Sequence, residues 1–159
     1  MNPFTYSYPV KVYFGEKAAA NNLALELAKV GPNVLLAYGG GSIKKNGVYD
    51  ELIGILKGAG KTVTEFTGIM SNPTYAKVQE GAVLAKEKNI DFILAVGGGS
   101  VIDCCKIISA QAKLDKDLWE LEYTGVYRSK AADRIHPQGR SGYRLRNRSG
   151  DEQRRSHNQ

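Results

Sequence analysis

The sequence predicts an α/β class fold, a doubly wound domain on a parallel sheet over residues 1–127, followed by a disordered tail over residues 128–159. Three observations predict it. Two short runs, Asn33–Tyr38 (NVLLAY) and residues 91–96 (DFILAV), are almost continuously apolar, as strands covered on both faces are. Segments with helical spacing lie between the strand-like runs, the alternation that gives a parallel sheet. Each of the two runs ends in a glycine cluster, Gly39-Gly40-Gly41 and Gly97-Gly98-Gly99. That is the strand end at which such sheets bind ligands.

The elements follow in order. Residues 11–15 (KVYFG) read as a short strand. Residues 16–30 are rich in Ala and Leu, lack Pro and Gly, and stop at Gly31-Pro32, a helix-ending pair. NVLLAY is the next strand, and residues 39–47 form a Gly-rich loop. Residues 48–56 place Val48, Leu52, Ile55 and Leu56 on one helical face. Residues 61–66 (KTVTEF) alternate and are β-branched, hence a strand. Ser71-Asn72-Pro73 is a turn, with Pro73 suited to the first helical position. Residues 74–89 form a helix with Tyr75, Val78, Ala82 and Ala85 facing inward. After DFILAV, Gly97–Gly99 turn the chain into a helix over residues 100–112. Right-handed crossovers make the whole a doubly wound domain.

Charge divides the 159-residue chain sharply. Residues 1–127 hold 13 Lys, no Arg and 13 acids, a net charge of zero. The whole net charge of +6 sits in residues 128–159, with 8 Arg and both histidines. That tail has few aliphatic residues and no period, too little to offset the ordering cost of ~1–2 kcal/mol per residue. Two adjacent cysteines, Cys104 and Cys105, exclude a disulfide-rich secreted scaffold. No apolar run approaches the ~20 residues of a membrane span, and residues 1–8 lack the features of a signal peptide. A cytoplasmic setting is expected. Residues 1–127 contain no His, which excludes a His-based triad or a His metal ligand there. The cysteines fall within a helix and read as buried structural thiols.

The glycine loops carry the chemistry. Gly97-Gly98-Gly99-Ser100 joins an apolar strand to a helix, so the backbone can approach a ligand and the helix N-terminus offers N–H donors to phosphate. The competing reading is structural, since Ser100 and Asp103 fit a helix capping box. Gly39-Gly40-Gly41-Ser42 repeats the pattern, and two copies are hard to explain as turns. Lys44 and Lys45 follow, and no acid occurs before Asp50. A ribose 2′-hydroxyl calls for an acid, so this loop leaves room for a 2′-phosphate, while the lysines fit equally a solvated pair.

Phe14-Gly15, Y-G-G-G-S-I-K-K-N-G at residues 38–47, Asn72-Pro73 and A-V-G-G-G-S-V-I-D at residues 95–103 occur in that order. Together they resemble the amino-terminal cofactor domain of the iron-containing (group III) alcohol dehydrogenases. The likeness is strongest to the NADP(H)-dependent butanol dehydrogenase and aldehyde reductase branch, over residues 1 to about 130. The resemblance implies a Rossmann-like, dehydroquinate-synthase-like nucleotide domain, followed in the family by a helical metal domain that this chain lacks. It implies that Gly97, Gly98, Gly99 and Ser100 hold the pyrophosphate and that Asp103 lies near the nicotinamide. It places Gly39, Gly40, Gly41 and Ser42 around the 2′-phosphate and Asn72 at the border of the cleft, with Gly39 favouring NADP over NAD. The implied reaction is hydride transfer between NADP(H) and a primary alcohol/aldehyde pair, with Fe or Zn bound by the helical domain and homodimeric assembly in the full-length family.

The family's T-G-S-E-x-N-x-G-A-V-I-T stretch is missing. Back-translation of residues 151–158 read one nucleotide downstream permits M-N-S-G-A-V-I-T, and residues 147–150 permit T-G-A-E. The expectation is a frameshifted reading from about residue 130, with the chain inactive as an enzyme by itself. The alternatives are a non-catalytic nucleotide-binding module and a nucleic-acid binder acting through the basic tail.

Overall fold

A computed structural model describes residues 10–123. Nine elements follow in order: α1 (Ala18–Leu27), β1 (Asn33–Tyr38), α2 (Ser42–Lys45), α3 (Val48–Gly58), β2 (Thr62–Phe66), α4 (Tyr75–Glu87), β3 (Phe92–Val96), α5 (Gly99–Gln111) and α6 (Leu118–Tyr123). The strands form one parallel sheet in the order β2-β1-β3. The α/β doubly wound reading of the sequence therefore holds.

The apolar runs become strands because both of their faces are covered. Val34, Leu36, Tyr38, Phe92, Leu94 and Val96 point to one face and pack with α1 and α3 through Leu23, Leu27, Leu52 and Leu56. Leu35, Ala37, Phe66, Ile93 and Ala95 point to the other and pack with α4 and α5 through Val78, Ala85, Val101 and Ile108. This is the period-2 alternation of a strand used twice. The edge strand β2 is only partly covered, which is why its sequence alternates instead of being apolar throughout.

Several local expectations are corrected. Residues 11–14 form no ladder with the described strands. Instead Tyr13 donates to Glu26 at 2.6 Å, and Lys11 pairs with the same buried carboxylate at 3.4 Å. The Gly-rich loop contains a helical turn, α2, which buries Ile43. Pro73 precedes helix α4 instead of opening it. Thr74 is the N-cap, and its hydroxyl accepts from the Lys77 N–H. Beyond α5, helix α6 is tied back to α4, because Tyr75 donates to Asp117, which caps the Trp119 N–H. The expectations for residues 128–159 lie outside the described residues.

Helices α4 and α5 meet closely at Gly81. A Cβ there would fall 2.4 Å from Ile108 Cδ1 and 3.1 Å from the Phe66 ring, both wholly buried neighbours. Gly81→Ala is expected to cost about 1–3 kcal/mol through overpacking, measured as a lower urea midpoint. An unchanged midpoint would contradict this packing.

Candidate functional site

Both glycine loops stand at the carboxyl end of the sheet, after the neighbouring strands β1 and β3. From β1 the chain crosses to β2 on one side and returns to β3 on the other. The crevice between the loops is thus the topological switch point, where open α/β sheets bind ligands.

Val101, buried on the first turn of α5, occupies the space where side chains on both loops would stand. A Cβ on Gly97 would fall 2.7 Å from Val101 Cγ2, and Gly97 has a φ of +154°, which L residues rarely adopt. A Cβ on Gly39 would fall 3.7 Å from the same Val101 atom and 2.9 Å from the carbonyl oxygen of Ile69. These two glycines answer to the protein's own packing. Gly40, Gly41, Gly98 and Gly99 do not, because a Cβ at any of them would meet nothing within 4 Å. The empty space before them fits a phosphate-bearing group approaching the backbone.

Helix α5 begins at Gly99 with Gly98 as N-cap and no side-chain cap. Ser100 lies inside the helix, and Asp103 is exposed and paired with Lys106 at 3.1 Å. The capping-box reading of Ser100 and Asp103 is therefore overturned, and the first-turn N–H groups point to the crevice end without a side-chain acceptor. The β2–α4 loop reaches the same end: Gly68 N–H donates to the Gly39 carbonyl at 3.2 Å. Farther along it, Asn72 is exposed with a φ of +54°, directly before Pro73. A residue before proline is normally extended, so Asn72 is strained.

A side-chain cluster beside the first loop escapes a reading of the sequence. The β1–β2 register sets Leu36 opposite Glu65. Tyr38 and Tyr49 each donate to a different Glu65 oxygen at 2.5 Å. The Lys44 ammonium lies 3.7 Å from Glu65 and over the Tyr49 and Tyr38 rings, at 4.6 and 5.6 Å from their centroids. The Tyr38 and Tyr49 hydroxyls hold the Glu65 carboxyl below its ordinary range. Burial, and then Glu65, raises the Tyr38 phenol. Its one available sequence signal was position: Glu65 is an acid near the carboxyl end of β2, where ribose-binding acids stand in doubly wound folds.

Other sites carry less chemistry. A cavity of about 500 Å³, lined by Lys86, Asn89, Asp91, Ser109 and Lys113 among others, opens at the amino-terminal end of β3, away from both loops. Among the described residues no group of three or more His, Cys, Asp or Glu could hold a metal ion. No helix among them is long and apolar enough to cross a membrane.

This architecture is an α/β domain with two glycine loops at its topological switch point, and the comparisons define its kind. The sequence profile described as iron-containing alcohol dehydrogenase matches residues 9–138, and the chain belongs to that family. It is 52% identical over 121 residues to a probable NADH-dependent butanol dehydrogenase 2 of Bacillus subtilis, covering 76% of this chain and 31% of that protein. It is 40% identical over 134 residues to the NADPH-dependent aldehyde reductase YqhD of Escherichia coli, covering 83% and 34%. The solved structure of NADH-dependent butanol dehydrogenase A from Thermotoga maritima matches with a TM-score of 0.69 at 39% identity, covering 76% of this chain and 30% of that one. The chain thus spans about a third of the length of these relatives.

Cys104 and Cys105 are free and buried, as expected of structural thiols. Burial pushes the Cys105 thiol up to about 12 and raises Cys104 as well. Burial and the upward shift both disfavour the reactive thiolate form. Neither is expected to react with Ellman's reagent at pH 8 in the native chain, and both are expected to react in urea. Rapid reaction of the native protein would contradict their assignment as inert.

Proposed function

We propose that the chain is the cofactor-binding part of an NADP(H)-dependent alcohol dehydrogenase or aldehyde reductase. The whole protein would transfer a hydride between NADP and a primary alcohol/aldehyde pair. In this reading Gly97, Gly98, Gly99 and Ser100 hold the pyrophosphate, with Asp103 toward the nicotinamide end. Gly39, Gly40, Gly41 and Ser42 surround the 2′-phosphate, and Asn72 borders the cleft. A cytoplasmic setting and a homodimeric whole protein belong to the same proposal.

The observation that carries it is the pair of glycine loops beside Val101 at the switch point, with open space before four of their glycines. The uncapped start of α5 adds N–H donors and a partial positive charge where a pyrophosphate would lie. The relatives' names divide between NADH and NADPH. The absence of any acid from residues 39–45 supports NADP. The nicotinamide, when bound, supplies the hydride chemistry; the loops bind and orient it. The described residues do not fit the metal that the family implies. The chain is proposed to be inactive alone.

Fluorescence titration of the purified chain tests this. NADPH is expected to bind more tightly than NADH, with no turnover of butanal. Gly98→Ala and Gly40→Ala add a Cβ only to empty space, so they are expected to move stability by no more than about 1 kcal/mol. They are expected to weaken NADPH binding at least about tenfold by displacing the phosphates from the backbone donors. Unchanged binding in both variants, or no binding of either cofactor by the parent chain, would overturn the reading.

A further inference from the structure

We propose that Lys44, Glu65, Tyr38 and Tyr49 form a cofactor-discriminating unit: Glu65 and the two rings hold the Lys44 ammonium beside the Gly39–Ser42 loop to receive a 2′-phosphate, while the tyrosine hydroxyls occupy the acid that would otherwise accept a ribose 2′-hydroxyl. This rests on the cofactor reading above and assigns its discrimination to side chains outside the glycine loops.

Three observations carry it. The first is position. Tyr38 is the last residue of β1, immediately before Gly39, and the Lys44 N–H bonds back to the Gly41 carbonyl at 3.1 Å. The cluster is therefore built onto the loop itself. The second is the state of the acid. Each Glu65 oxygen already accepts a phenol at 2.5 Å, which lowers its capacity to take a further hydroxyl donor. The third is the state of the cation. At 3.7 Å from Glu65 its ammonium is placed by charge and by the ring faces, beyond hydrogen-bond distance of the carboxylate. Lys44 is 52% exposed there, which leaves its donors accessible to a bound anion. Lys45, the next residue, carries the same charge, is exposed and bonds through its N–H to the same Gly41 carbonyl at 3.3 Å, yet it is Lys44 whose ammonium meets Glu65 and the two rings. The cluster thus separates two lysines that the sequence alone treats as a pair.

The test is a titration of the full 159-residue chain and its variants with NADPH and NADH, read by nucleotide fluorescence. Lys44→Gln is expected to weaken NADPH binding about tenfold, the loss of one charge-assisted contact, while NADH binding stays within about twofold. Lys45→Gln is expected to leave the NADPH/NADH ratio within about twofold of the parent. Tyr49→Phe frees one Glu65 oxygen and is expected to shift the ratio toward NADH. Circular dichroism of each variant confirms that the fold persists. Equal losses in the two lysine variants would reduce the effect to general surface charge and overturn the proposal. So would a Lys44→Gln ratio equal to the parent's. If the parent chain binds neither cofactor, the cofactor reading falls and takes this inference with it. Binding by the parent with unchanged variant ratios removes the inference alone.

Discussion

The structure depends on parallel pairing along both edges of β1. Val34 to Tyr38 are at most 2% exposed, and Val34 to Ala37 pair with β2 on one side and β3 on the other. A central strand of this kind forces the connections to leave in opposite directions, and the gap this creates opens at its carboxyl end. It also requires two helical layers, because both of its faces are apolar. The site, the two cores and the order of the elements follow from where this one strand lies.

At that end the glycines fall into two groups. Gly39 and Gly97 allow loops and Val101 to close together, so their lack of a side chain serves the fold. Gly40, Gly41, Gly98 and Gly99 face open space, and nothing in the protein's own packing accounts for them. In the proposed reading they leave the backbone donors open to a phosphate. The body of the chain over residues 1–127 is neutral by count, so the proposed reading rests on placed groups, the start of α5 and the held ammonium of Lys44, and not on net charge.

Much of the fold is legible in the sequence because β1 and β3 are buried on both faces. NVLLAY appears as a strand with its observed bounds, and β3 differs by a single residue at its start. Helices α3, α4 and α5 are legible from apolar spacing and from glycine and proline stops, with small errors at their ends. The errors arise where a tertiary contact overrides a local pattern. Residues 11–14 have strand composition, but Tyr13 and Lys11 are drawn to the buried Glu26 of α1. Ser100 and Asp103 have capping spacing, but the chain enters α5 two residues earlier, at Gly98. The glycine loops are legible as candidates because both follow apolar strands. Glu65 is not, because it lies far from Gly39 in sequence and reaches the loop only through the β1–β2 register.

The most direct test of the central claim is residue-resolved amide hydrogen exchange of the chain with and without NADPH. The account predicts slowed exchange at residues 39–42 and 97–103, at the carboxyl end of the sheet. Protection confined to residues 85–93, around the cavity at the opposite end, or none at the glycine loops, would contradict it.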